Sequence, residues 1–153
     1  MAWATIFSIT NLIALVAWIL LILGPRGPKT AAIILYVGVG LLCLAYAVMF
    51  GLLVGGLVDP VRALGASGAG SFTSIEGIRA LFMSDGGIVL GWTHYLAFDL
   101  FVGQWIAKDA DHKGFVRWVQ APVLLATFIA GPIGLFVWLL VREQRARKAA
   151  LDA

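Results

Sequence analysis

His94 and Asp99 sit inside the apolar run GWTHYLAFDLFVGQWIA, which extends from Gly91 to Ala107. A group that takes up a proton near neutrality and a carboxyl that delivers one are the two parts acid/base chemistry needs. Hydrocarbon is an expensive place for them: an aspartate at the centre of a membrane helix costs roughly 2.5–3.5 kcal/mol on insertion scales. Ionisable residues carried at that cost mark a functional site by default, and the competing reading is a structural hydrogen bond to a neighbouring helix.

Helical geometry limits how the two can cooperate. At about 100° per residue, positions five apart point about 140° apart around the helix, so a direct His94–Asp99 pair is not expected. Asp99 shares a stripe with Trp92 and Tyr95, and His94 with Phe98, Phe101 and Trp105. Either the two act through different neighbours or they flank one cavity. Asn11 in an earlier apolar run and Tyr46 in the next are the first choices as partners, since each can donate a hydrogen bond to a carboxylate or an imidazole.

Elements that could hold such groups follow from composition. The chain has 153 residues, 61% hydrophobic and 12% charged, and its mean hydropathy is +0.98. Soluble domains carry about 25% charged residues, so the sequence reads as an integral membrane protein. Four runs reach the roughly 20 apolar residues needed to cross hydrocarbon, at about 3–24, 31–57, 87–107 and 121–141. Every Lys and Arg, and every Asp and Glu except Asp99, falls outside them. The expected fold is all-α: one transmembrane domain over residues 1–153, built as a four-helix bundle.

The connections add detail. GPRGPKT is short and holds two prolines, which predicts an antiparallel hairpin between the first two spans. The next connection opens on Asp59-Pro60, passes through GASGAGS at Gly65–Ser71 and reads TSIEGIRALF. Thr73 with Glu76 three residues on fits a capping box, and Ile75, Ile78, Leu81 and Phe82 repeat at helical spacing. A short amphipathic helix lying in the membrane interface is expected there, either as a plain connector or as a cover over a cavity. Trp3, Trp105, Trp118 and Trp138 near the span borders suit an interfacial aromatic belt. Gly131-Pro132 predicts a kink in the fourth span, and Gly51 with Gly55 gives a G-x-x-x-G spacing for close helix approach.

An even number of spans puts both termini on one side with Arg62, Arg79, Arg142, Arg145, Arg147 and Lys148, against Arg26, Lys29, Lys108, Lys113 and Arg117 on the other. That near balance leaves orientation to the dense Arg142–Lys148 cluster, which tilts both termini toward the cytoplasm. Cys43 is the single cysteine, and Asp109, Asp111 and His112 read as a solvated loop, so no metal and no cofactor are expected. Two histidines in the whole chain exclude histidine-rich diiron chemistry, and no nucleophile elbow or phosphate-cradling loop is present.

The motif G-W-x-H-Y-L-A-F-D-L-F-V-G-x-W-I, Gly91 to Ile106, and P-V-L-L-x-T-F-x-x-G-P-x-G-L, Pro122 to Leu135, resemble the signatures of the abscisic-acid-deficient-four-like family. This is a group of small membrane proteins related to the plant neoxanthin-synthesis protein. The resemblance implies a protein of carotenoid metabolism, and the plant relatives are needed to isomerise an epoxy-xanthophyll into an allene. No plastid transit peptide precedes Trp3, so a bacterial member in the inner membrane is expected. Carried onto this chain, the family's polar motif residues are His94 and Asp99.

The chemistry expected is epoxide opening without redox change, with Asp99 as proton donor and His94 as acceptor, and Trp92, Tyr95, Phe98, Asn11 and Tyr46 lining the substrate. A non-catalytic carotenoid-binding or assembly protein is the alternative. A small transporter is a third reading, though no internal repeat supports it. The partners expected are a lipophilic carotenoid-like small molecule and the bilayer, with homo-oligomerisation open and nucleic acid excluded.

Overall fold

The computed structural model describes residues 2–58 and 73–151, with side chains as far as Glu143. The Asp59-Pro60 turn and the GASGAGS segment lie outside the described residues.

All regular elements among the described residues are helices. α1 spans Trp3–Leu23 and ends where Gly24 turns extended ahead of Pro25, which cannot continue a helix. α2 runs Pro28–Val54. Its proline occupies the first turn, where the missing N–H costs nothing. One π-helical turn, Ile34–Val39, interrupts it. That turn carries Gly38, where an added Cβ would lie 3.0 Å from Ala17 and 3.1 Å from Leu100. Gly38 thus lets α2 approach both neighbours closely.

α3, Ile75–Leu81, is the short helix expected in the second connection, and it buries no residue. Its cap is Ser74 rather than Thr73: Ser74 is extended and its hydroxyl accepts from the Gly77 N–H at 3.1 Å. The capping residue must be non-helical with its oxygen aimed at the third N–H onward, and Ser74 satisfies both.

α4, Asp85–His112, is capped by Ser84 and is the central helix, packing against α1, α2 and α5. Leu100 and Ile106 are fully buried in it, and Gly103 gives its outer surface to the ring of Trp18. α5 extends over Arg117–Leu151. Three helices, α1, α2 and the Arg117–Glu143 part of α5, are long and apolar enough to cross a membrane. α4 has 28 residues, and its polar groups, His94 and Asp99 among them, dilute its hydropathy.

The expected kink in the fourth span is a complete reversal. Ala130 leaves helical geometry with φ −150° and ψ 55°. Gln120, in the first arm, donates to Asp111 at 2.8 Å, and Trp138, in the second, donates to Asp109 at 3.0 Å. On a straight helix Gln120 and Trp138 would lie about 27 Å apart, yet both bond the same end of α4. Ile129 meets Tyr95, and Gly131 meets Asp99, well back along α4. Residues 117–129 therefore run antiparallel to α4 and residues 131–151 return parallel to it.

The cause is local. Pro132 has no N–H to give the preceding turn, and glycines at 131 and 134 let the arms touch at the tip. Gly134 packs directly on the main chain and hydroxyl of Thr127. The run at 121–141 is thus a helical hairpin rather than one straight helix. It follows that the N-terminus, beside the start of α4 through Phe7 and Trp92, and Arg142, bonded to Asp109 near its end, lie at opposite ends of the helix stack.

Candidate functional site at the hairpin tip

Asp99 sits where the hairpin turns. Its carboxyl lies against Gly131, so close that a Cβ there would overlap it. Asp99 Oδ2 is buried and accepts no hydrogen bond among the described residues. The Tyr95 hydroxyl faces the same carboxyl and the Gly131 backbone, and its own proton goes to the Ile129 carbonyl at 3.1 Å. One side chain thus ties off backbone groups freed by the break at Ala130, which would otherwise stand unsatisfied in lipid. The start of the second arm points its positive end at the carboxylate.

Tyr95 also belongs to a second feature. Its ring stacks on Trp92 with centroids 5.3 Å apart, and Trp92 packs on Phe7 at 6.0 Å. The Trp92 indole N–H donates to Asn11 Oδ1 at 3.1 Å, and the Asn11 amide donates to the Phe7 carbonyl at 2.7 Å. These rings, with Ile88 and Phe82, line an open apolar groove of about 340 Å³. Gly91 lies under the Phe82 ring, which leaves no space there for a Cβ. Phe82, directly after α3, thus closes one side of the groove. Trp92, Tyr95 and Asn11 come together as one group.

His94 does not join them. It is exposed on another face of α4, with its ring 4.5 Å from Phe98 and 5.5 Å from Tyr46. Tyr46 in turn stacks on Phe50 at 6.0 Å. The residues singled out from sequence therefore divide in two: Asp99, Tyr95, Trp92 and Asn11 on the α1 and α5 side, His94, Tyr46 and Phe98 on the α2 side. No group of three His, Cys, Asp or Glu side chains converges as a metal site among the described residues.

The family model of ABA DEFICIENT 4-like proteins matches residues 5–138. The chain belongs to this family. No curated protein and no solved structure matches it. The ABA DEFICIENT 4-like match covers α1, α2, α4 and both sides of the hairpin tip, so Asp99, Tyr95 and Gly131 all fall within it. Membership makes this a membrane protein related to carotenoid and neoxanthin metabolism.

Sequence reasoning missed a polar hub at the far end of α4. Asp109, read as a solvated loop residue, lies in the last turns of α4 and is 14% exposed. It binds Lys113 at 2.8 Å, Arg142 at 3.0 Å and the Trp138 indole at 3.0 Å. Trp138 is wholly buried and packs edge-on against Phe115 at 5.1 Å, so it is a core residue rather than a belt anchor. The available signal was the i, i+4 spacing of Asp109 and Lys113.

Asp109→Ala removes the acceptor that clamps the second arm and leaves the buried Trp138 N–H unpaired, a loss of roughly 1–3 kcal/mol. A lower unfolding temperature in detergent, with a changed tryptophan emission, is the expected result. An unchanged melt removes the clamp from the account.

Proposed function

We propose that this protein crosses a bacterial inner membrane three times, through α1, α2 and α4, and re-enters it with the α5 hairpin, placing Asp99 at mid-depth beside a groove for a polyene. The reading replaces four crossings with three because the last apolar run doubles back. Arg26, Lys29, Lys108, Lys113, Arg117, Arg142, Arg145, Arg147 and Lys148 then share one side, against Arg62 and Arg79 in the connection between α2 and α4. By the positive-inside rule the C-terminal side is cytoplasmic and the N-terminus faces outward.

With Cys43 replaced by Ala, Ala2→Cys is expected to react with an impermeant maleimide in intact cells, and Ala150→Cys only after permeabilisation. Labelling of both from the same side would overturn the three-crossing topology.

The reaction we assign is acid/base isomerisation of an epoxy-xanthophyll or related polyene. Family membership supports the substrate class, and the observation that carries the site is Tyr95, whose ring lines the groove and whose hydroxyl meets Asp99. The epoxide oxygen gains a proton, its C–O bond breaks, and a proton leaves the adjacent polyene carbon to form the allene. Substrate and product are isomers, so no oxidant enters. Asp99 is the proton donor with Tyr95 at the substrate, and His94 is the proposed acceptor.

Because His94 lies on another face of α4, one polyene reaching both groups must bend around the helix. That separation favours a second reading, a carotenoid-binding protein without turnover. In that reading Asp99 and Tyr95 serve to fasten the hairpin. Among the described residues nothing lies within 4 Å of a Cβ added at Gly51, which leaves room on this face of α2 for a second copy of the chain.

Expression in cells that accumulate β-carotene, zeaxanthin or violaxanthin, with pigments resolved by chromatography and mass spectrometry, separates the readings. A new isomer supports the enzyme. Unchanged pigments with carotenoid retained on the purified protein support binding alone.

A further inference from the structure

A second cavity, of about 280 Å³, lies at the opposite end of α4 from the groove, where α1 hands over to α2. Leu20, Leu21 and Ile34 form apolar wall, and Arg26, Lys108 and Asp111 supply charge. Arg26 Nη2 donates to Gln120 at 2.9 Å, and its buried Nε faces Asp111 Oδ2 at 3.5 Å, an ion pair that is not closed into a hydrogen bond. Burial pulls the Arg26 guanidinium below the ordinary arginine value; Asp111 opposes this and nearby Arg117 adds to it. Arg117 is anchored on the Gly24 carbonyl at 2.9 Å.

Charge does not balance here. Lys108 is exposed, and no ion pair joins it to another described residue. The neighbouring carboxylate, Asp109, is committed to Lys113 and Arg142. Among the described residues, Asp111 is thus the carboxylate that pairs with Arg26 beside Lys108 in the cavity. The first turn of α2 also opens at this cavity through Pro28 and Thr30, adding the positive end of a long helix.

This excess of positive charge suits an anion, and the apolar wall beside it suits hydrocarbon attached to that anion. We propose that the cavity binds the phosphate of an anionic phospholipid, held by Arg26 and Lys108, with the first methylenes of its chains against Leu20, Leu21 and Ile34. The inference rests on the helix packing and is independent of any turnover at Asp99. On the topology above, the site opens to the cytoplasmic leaflet, where anionic lipids concentrate.

The test is native mass spectrometry of the purified protein in detergent, with phosphatidylglycerol, phosphatidylcholine and inorganic phosphate added in separate arms. Phosphatidylglycerol is expected to be retained at least about tenfold over phosphatidylcholine, with retention falling in Lys108→Gln and lost in Arg26→Gln/Lys108→Gln. Weak competition by inorganic phosphate supports the lipid as the source, and full displacement supports the same phosphate site with a free anion as its occupant. Lys108 is exposed and forms no ion pair with another described residue, so that variant reports on binding rather than on folding. Equal retention of the two lipids, or retention unchanged in Lys108→Gln, overturns the proposal.

Discussion

Asp99→Asn is expected to abolish conversion of the polyene while the protein still folds. Asparagine has nearly the volume of aspartate, so it fills the same place against Gly131. It can also hydrogen-bond the Tyr95 hydroxyl. What it lacks is a transferable proton, and general acid catalysis contributes typically about 10²–10⁴-fold in rate. The expected result is no detectable product, together with unaltered helicity and elution from a sizing column. Full conversion by Asp99→Asn would end the catalytic role.

Two further variants locate the rest of the machinery. Tyr95→Phe keeps the stack on Trp92 but removes the hydroxyl between groove and carboxyl, so its conversion is expected to fall with that of Asp99→Asn. His94→Ala separates the two versions of the mechanism: loss of turnover supports the imidazole as proton acceptor, and full turnover moves that role to the Asp99–Tyr95 side. His94 is exposed, with ring contacts to Phe98 and Tyr46, so its removal costs little packing.

Much of this arrangement was legible from residue order. Hydropathy located α1, α2 and α4 to within a few residues, because desolvation keeps Lys and Arg out of hydrocarbon. The stripe rule separated His94 from Asp99 and grouped Asp99 with Trp92 and Tyr95. It works because the α-helix is regular there. The same regularity was the wrong assumption at Ala130, where Gly131-Pro132 announced a break but not its angle.

A proline removes one backbone hydrogen bond whether the chain bends or reverses, and packing decides between them. Here the deciding contacts, Trp138 and Arg142 on Asp109, join residues far apart in sequence. Counting four crossings divides the basic residues almost equally, whereas the three crossings proposed above place most of them on one side. The π-helical turn in α2 likewise has no signal beyond Gly38 and Gly40, whose spacing reads as ordinary close packing.

Gly134→Ala tests the reversal directly and is the substitution expected to cost most stability. A Cβ at 134 would lie 2.5 Å from the Thr127 Cα, and nearer still to its main-chain nitrogen and hydroxyl. A flexible side-chain tip could move aside, but these are backbone atoms of a buried residue, so the two arms must separate. Overpacking costs roughly 1–3 kcal/mol where side chains can adjust, and a main-chain collision belongs at the upper end of that range or beyond it.

At about 2–4 °C per kcal/mol for a chain of this size, the expected fall in unfolding temperature is on the order of 10 °C in detergent. Gly51→Ala is the control. Among the described residues nothing lies within 4 Å of its Cβ, and alanine in an exposed helix is favoured over glycine by roughly 0.5–1 kcal/mol. That variant is expected to melt no lower than the parent. In a straight fourth span, Gly134 and Thr127 would be two turns apart and Gly134→Ala would be as harmless as Gly51→Ala. Equal melting temperatures for the two variants would therefore refute the hairpin, and with it the position of Asp99 at the tip of a re-entrant turn.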